Sequence, residues 1–398
     1  MTDNSSITAV FPKKKVPAYP DALKQENVQS VFRFHKSVPG YDATPLHCLP
    51  ELAHHFGMKN IYVKDESFRF GLNAFKALGA TWAVAGILCE KLGRALSHID
   101  FPRLKQAAAQ PKDMVFVTAT DGNHGRGLAW AASQLGCQAV VFMPAGSAES
   151  RVKAIEKEGA KVWVTDKNYD DTVRMAARAA KKNGWHLVQD TAFKGYEKVP
   201  TWIVQGYTTM AREVLEQLMD RDLEMPTHLF LQAGVGSMAA SVLGYYANTL
   251  QDGCPRTIIV EPNQADCLYQ SALADDGTPK AVRGDLKTMM VGLACGEPNP
   301  FAWSILRDFA ACFISCPDEV AALGMRQLAR PHGNDPAIVS GESGAVGIGL
   351  LCRLMTDDKL AGIKEQINLN QASIVLCFST EGDTNPDNYR AIVNGQPV

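Results

Sequence analysis

Short runs of apolar and β-branched residues alternate along the chain with longer stretches whose apolar positions recur three and four apart. The first kind suits strands buried on both faces, the second helices. The pattern predicts strands over Asn60–Lys64, Met114–Thr120, Ala139–Met143, Lys161–Val164 and Trp185–Gln189. It predicts further strands over His228–Gln232, Thr257–Val260, Cys312–Ser315 and Ser373–Phe378. Between them it predicts helices over Ala74–Leu92, His124–Leu135, Ser147–Glu158, Tyr169–Lys182, Thr201–Met219, Ser237–Leu250, Asp318–Leu328 and Ser343–Met355. The helix from Tyr169 should stop at Asn183-Gly184, a left-handed cap. Strands alternating with helices make an α/β chain with mostly parallel sheets. Two α/β units meet near Leu88–Asp100 and again near Asp190–Pro200. The expected division is a large domain of residues 1–87 plus 196–398 and a small inserted domain of 88–195.

Length agrees with more than one domain: 398 residues at about one domain per 150 residues. Composition excludes several classes. Hydrophobic residues make up 46% and charged residues 21%, values of an ordinary globular chain. The net charge of −2 lacks the basic excess of a nucleic-acid or anionic-membrane binder. No run reaches the length of a membrane span. Residues 1–20 carry Lys13, Lys14 and Lys15 with no apolar segment behind them. They read as a loosely held arm rather than a secretory signal. The ten cysteines include no C-x-x-C pair, and several sit in apolar runs such as Ile374-Val375-Leu376-Cys377-Phe378. They read as reduced core thiols in a cytoplasmic protein, not as metal ligands. The polar stretch Asp275–Met289 reads as a mobile loop.

Four segments at strand or helix ends carry candidate chemistry. Ligands of open α/β sheets bind beyond the carboxyl ends of the strands, so such segments can converge. Gly71-Leu72-Asn73-Ala74-Phe75-Lys76-Ala77-Leu78-Gly79 puts a lysine at the start of an apolar helix. The helix dipole disfavours a cation there, and flanking Phe75 and Ala77 desolvate it, which suits Schiff-base chemistry. Thr118-Ala119-Thr120-Asp121-Gly122-Asn123-His124-Gly125 joins a strand to a helix, with glycines that let a ligand approach and exposed amides that can hold an anion. Gln232-Ala233-Gly234-Val235-Gly236-Ser237-Met238 is a glycine-rich turn before a helix, suited to a phosphate. It lacks the third glycine of a dinucleotide fingerprint, since Ala239 stands there. Phe378-Ser379-Thr380-Glu381-Gly382-Asp383-Thr384 places hydroxyls at the end of an apolar strand.

Taken together and in this order, the four segments resemble the fold-type II pyridoxal-phosphate enzymes. These include the serine and threonine dehydratases and the tryptophan synthase β subunit. The resemblance runs from about Thr44-Pro45-Leu46 to Asp383 and implies two open, twisted, mostly parallel sheets flanked by helices. It implies pyridoxal 5′-phosphate as cofactor, held by Lys76 as a Schiff base. Asn123 would bond the cofactor's phenolic oxygen, and Gly234, Val235, Gly236, Ser237 and Met238 its phosphate. Ser379 or Thr380 would face the pyridine nitrogen.

Dehydratases of this family usually carry Ser where this chain has Asp121. A second carboxylate, Asp190, follows the strand ending at Gln189. Asp-Gly-Asn-His-Gly-Arg-Gly at 121–127 and Val-Gln-Asp-Thr-Ala at 188–192 resemble the diaminopropionate ammonia-lyases, as do Gly341–Ala345 and Ser379–Thr384. That implies α,β-elimination of D- or L-2,3-diaminopropionate to pyruvate and two ammonia. The physics agrees. Unit charges 4 Å apart interact by about 4 kcal/mol at an effective dielectric near 20, so a carboxylate favours a substrate with a second ammonium. Facing a hydroxyl, it gains only about 1 kcal/mol. Asp121 and Asp190, with Thr120 beside them, are therefore the expected substrate contacts. Asp121, Asp190 or Lys76 would remove the α-proton. The resemblance further implies a homodimer. Two alternatives remain: a serine or threonine dehydratase of the same fold, and a nicotinamide-dependent oxidoreductase using Gly234–Gly236 with Glu261 on the ribose.

Overall fold

A computed structural model describes residues 6–13, 17–108, 114–193 and 195–397. Lys14, Lys15 and Lys194 lie outside the described residues. In chain order the strands are β1 (Thr8–Val10), β2 (Leu46–Cys48), β3 (Asn60–Asp65), β4 (Val115–Ala119), β5 (Gln138–Met143), β6 (Lys161–Val164), β7 (His186–Leu187), β8 (His228–Gln232), β9 (Arg256–Pro262), β10 (Cys312–Cys316) and β11 (Ile374–Ser379). The chain divides into two compact units, one of residues 1–21, 43–68 and 210–398 and one of residues 22–42 and 69–209.

The first unit holds a seven-stranded sheet in the order β1-β10-β9-β8-β11-β3-β2. Its five inner strands run parallel and its two edge strands antiparallel. The inner strands are buried along most of their length, as their unbroken apolar runs require. Helices Asp318–Ala329 and Glu342–Thr356 pack backbone to backbone. A Cβ on Gly349 would lie 1.8 Å from the Val320 carbonyl, and one on Gly324 would lie 2.1 Å from that of Ala345. Only glycine allows that approach.

The N-terminal segment departs from the expectation of a loose arm. Residues 8–10 form β1, whose Ala9 pairs with Ile314 on the sheet edge. Its run Ile7-Thr8-Ala9-Val10 alternates like a half-buried strand, too short to stand out in the sequence. Asp275–Met289 contains no helix or strand, yet it is tethered rather than loose. Lys280 N donates to Ser271 Oγ (2.7 Å), Val282 N to the Gly296 carbonyl (2.8 Å), and Trp303 Nε1 to the Gly277 carbonyl (3.0 Å).

The second unit holds an all-parallel sheet in the order β6-β5-β4-β7. Helix Tyr169–Asn183 covers it through Val173, Ala176 and Ala180 against Val117, Val140 and Phe142. That helix ends at Gly184 with φ +69°, the expected left-handed cap. Helix Ala77–Lys91 is buried from Ala77 through Cys89. It too packs through glycines. A Cβ on Gly79 would meet the Tyr207 ring at 2.6 Å, and one on Gly206 the Leu78 carbonyl at 2.6 Å. Residues 69–87 and 196–209 therefore fold together with 88–195. The unit boundaries fall at 69 and 209, where the expected ones were 88 and 195. Gly127 performs the same service for helix Asn123–Gln134, where a Cβ would stand 2.9 Å from Ala77 N and 3.0 Å from Lys76 C.

Candidate active site

In the second unit, Lys76 is the residue just before helix Ala77–Lys91. Its side chain is 19% exposed, and Nζ donates to Asp190 Oδ2 at 2.6 Å. The ammonium lies 5.5 Å from the Phe75 ring centre and 6.0 Å from that of Tyr207, an aromatic wall that suits a cation. Asp190 follows β7 by three residues. Burial would raise its pKa, but the charge of Lys76, then His124, and the hydrogen bond from Lys76 hold it well below the usual carboxylate range.

Gln189 organises the same corner. Its Oε1 accepts from Thr118 Oγ1 and Ala119 N, both at 3.0 Å. Its Nε2 is thereby turned to Asp190 Oδ1 (3.4 Å) and the Tyr169 hydroxyl (3.3 Å). Tyr196 steadies the strand end: its hydroxyl accepts from Gln189 N (2.8 Å) and donates to the Leu187 carbonyl (3.1 Å).

The loop after β4 carries Asp121. Thr120 shapes it, since its hydroxyl accepts from Gly122 N (3.0 Å) and Gly125 N (3.2 Å). Gly125 is obligatory, because a Cβ there would lie 2.3 Å from Thr120 Cγ2. Desolvation raises the Asp121 pKa, Asp190 adds to the rise, and Arg151 and Lys76 oppose it. The two aspartates thus share one lysine but titrate in opposite directions. Asn123 opens helix Asn123–Gln134 and is partly buried. Arg126, one turn on, pairs with Glu158 (3.1 Å) and donates to the Leu72 carbonyl (2.9 Å), a structural role.

In the first unit, β8 leads through Gly234-Val235-Gly236 into helix Ser237–Leu250. Gly236 has φ +93° at the helix cap, a conformation that L side chains resist. A Cβ on Gly234 would stand 3.1 Å from Cys295 Sγ and 3.2 Å from Leu293 Cα. Asn299 braces the turn, its N donating to the Val235 carbonyl (2.8 Å) and its Nδ2 to Ser237 Oγ (3.0 Å). Ser237 and Met238 are buried. At the end of β11, Ser379 Oγ donates to Ser340 Oγ (2.8 Å), while Thr380 Oγ1 accepts from Gln232 Nε2 (2.9 Å).

The pattern of pyridoxal-phosphate-dependent enzymes matches residues 38–367. The chain belongs to that family. Among relatives of this pyridoxal-phosphate enzyme is the diaminopropionate ammonia-lyase of Salmonella typhimurium, 53% identical over 370 residues and 92% of each chain. Among solved structures, holo diaminopropionate ammonia lyase from Escherichia coli superposes with a TM-score of 0.92 at 49% identity, covering 98% of this chain and 97% of that one. The Escherichia coli enzyme in complex with an aminoacrylate-PLP azomethine reaction intermediate gives 0.90 at 48%, with the same coverage.

The residues present fit the family's cofactor. A primary amine is held at a helix start. Two glycines whose Cβ positions are crowded or strained keep a turn's amides clear for a phosphate. The Thr380 hydroxyl, occupied as an acceptor by Gln232, has its proton to give.

The nicotinamide alternative loses its ribose contact. Both oxygens of buried Glu261 accept from Leu268 N (2.9 Å) and Tyr269 N (2.7 Å), capping helix Cys267–Ala274. Among the described residues no cysteine is in a disulfide, and burial raises the pKa values of Cys312 and Cys352 to about 12, so those two are inert core thiols at neutral pH. Met290 is buried in the core, with Met289 packed against it. His54 and His55 are exposed. Among the described residues no His/Cys/Asp/Glu group could hold a metal, and no helix is long and apolar enough to cross a membrane.

Sequence reasoning missed Gln189, Tyr169, Tyr196 and Gln232 as individual residues. Most of the partners that give them their roles lie far along the chain, 71 residues for Gln189 with Thr118 and 148 for Gln232 with Thr380, which no local pattern announces. His124, the first residue of the predicted helix, has its ring 3% exposed and its Nδ1 4.0 Å from Asp190 Oδ2.

Proposed function

We propose that this chain catalyses the pyridoxal-phosphate-dependent α,β-elimination of 2,3-diaminopropionate, giving pyruvate and two ammonia. The observation that carries the reading is Lys76 hydrogen-bonded to Asp190 at 2.6 Å with Asp121 in the same compact unit, the two aspartates shifted in opposite directions. Environments that push two carboxyls apart separate acid from base roles. When bound, pyridoxal phosphate supplies an electron sink for the pair left at the substrate's α-carbon. Every other task falls to the chain.

Lys76 holds the cofactor and, once displaced, is an amine poised to carry a proton. Asn123 bonds the cofactor's phenolic oxygen, and Gly234, Val235, Gly236, Ser237 and Met238 bind its phosphate. Thr380 gives its hydroxyl proton to the pyridine nitrogen, since Ser379 gives its own to Ser340. A neutral hydroxyl partner stabilises the electron pair less than a carboxylate would, and this favours prompt loss of a β-group.

Asp190, held ionised, accepts the α-proton from one enantiomer. Asp121 serves the other, and its raised pKa makes it the stronger base once ionised. Both carboxylates favour the substrate's second ammonium over a serine hydroxyl. Thr120 shapes the Asp121 loop through its hydroxyl, which accepts from Gly122 N and Gly125 N, and stands next to Asp121 as a substrate contact. Turnover of diaminopropionate and of serine, followed by pyruvate release, tests the reading. A clear preference for serine would replace it with a dehydratase. The same reading makes the enzyme a cytoplasmic homodimer, and sedimentation at the 43.2 kDa of one chain would overturn the dimer.

A further inference from the structure

His124 is the second residue of helix Asn123–Gln134, and its ring is buried at 3% exposure. Nε2 lies 2.7 Å from the Val188 carbonyl oxygen. A carbonyl only accepts, so Nε2 carries the proton, and in the neutral ring Nδ1 is a bare acceptor. That Nδ1 is buried without a hydrogen-bond partner. It stands 4.0 Å from Asp190 Oδ2, the same oxygen that accepts from Lys76. Two acceptors facing each other away from water favour each other only when a proton lies between them.

We propose that His124 is a positioning residue that takes over, at Nδ1, the proton Asp190 has accepted from the substrate. The inference rests on the reading of Asp190 as a base. The α C–H bond breaks and its electron pair stays with the substrate. The proton forms an O–H bond at Asp190 Oδ2. That bond then breaks as the proton passes to Nδ1, restoring the carboxylate beside an imidazolium. The imidazolium keeps Nε2–H on Val188 and points Nδ1–H at Asp190. The proton returns to Asp190 Oδ2 and passes from there to Lys76 Nζ, 2.6 Å away, an amine once displaced from the cofactor.

The charged groups facing the ring are Asp190, three residues past β7, and Lys76, just before helix Ala77–Lys91. Burial keeps the ring neutral, Asp190 favours its charge, and Lys76 opposes it. The relay is therefore closed while Lys76 offers its ammonium to Asp190, and it opens when that charge is withdrawn.

The test uses the full-length chain with 15N-labelled histidine, freed of cofactor, as wild type and as Lys76→Ala. The wild-type ring should be the neutral Nε2–H form at pH 7. In Lys76→Ala it should be doubly protonated at the same pH. A ring that stays neutral from pH 5 to 8 in Lys76→Ala, or an Nδ1–H tautomer in the wild type, overturns the proposal.

The second arm is His124→Gln, which keeps a donor for Val188 and lacks Nδ1. It should lower kcat about 10- to 100-fold for the enantiomer that requires Asp190, with KM within about 3-fold and the other enantiomer spared. Equal slowing of both enantiomers would mean a merely structural role and overturn it. Asp190→Asn separates the two failures. If it spares both enantiomers, the base reading falls and takes this proposal with it. If it slows one and His124→Gln does not, only the relay falls.

Discussion

The second unit gathers Lys76, Asp121, Asp190 and His124, groups that change charge, around one buried corner. The first unit brings glycine amides and the hydroxyls of Ser379 and Thr380 to its own strand ends, groups that keep their charge state. Both rest on parallel strands leading into helices, so the difference is not one of architecture. It lies in which side chains follow each strand. One unit is equipped to move protons, the other to grip a ligand without disturbing its electrons.

That contrast can be broken in stages. The largest effect should come from Lys76→Ala, with turnover down at least about 10⁴-fold, beyond the cost of losing one proton-transfer group. Borohydride treatment of the loaded wild type followed by peptide mapping should put the pyridoxyl label on Lys76. A label elsewhere would sink the assignment. Asp190→Asn should lower kcat for one enantiomer by about 10² to 10³-fold, with KM changed far less, as expected for a group that acts in the transition state.

Changes in the gripping unit should read out differently. Gly236→Ala forces an L residue to φ +93° with Leu306 Cδ1 at 3.1 Å. The strain of about 1–2 kcal/mol should weaken cofactor binding roughly 10-fold while kcat at saturation holds. A cofactor titration checks this, and a fall in kcat at saturating cofactor would count against the division of labour. The smallest effect is thermal. Asp121 has a folded-state pKa above its unfolded value of 3.8, so its ionisation costs stability as pH rises through that range. Asp121→Asn should melt higher than wild type at pH 7, and the gap should close once pH falls below the unfolded value. A gap that widened in acid would reverse the sign assigned to Asp121.

Much of this was written in local pattern. β8 and helix Ser237–Leu250 lie where apolar spacing puts them and are buried as that spacing predicts, whereas β6, also where the pattern puts it, is an edge strand with Trp163 and Val164 exposed. The helices Pro300–Phe309 and Pro386–Val393 were not legible, because a proline reads as a breaker although it is welcome in a first turn. Helix Gln25–Lys36 buries Val28, Val31, Phe32 and His35 at helical spacing but follows a segment read as an arm. In the site, Lys76, Asp121 and Asp190 stood out by residue type and motif. Their opposed titration did not, since it depends on burial and on Arg151, Lys76 and His124 arriving from elsewhere in the chain.

The short strand β1 seals one border of the seven-stranded sheet. Its pairing partners, Phe313, Ile314 and Ser315, lie in a strand that otherwise ends in unclaimed backbone donors and acceptors. A shortened protein starting after Val10 would present that row as a template for a neighbour's strand. Such trimming should reveal itself as precipitation at high concentration before any loss of catalysis, with Thr8–Val10 acting as a guard on solubility.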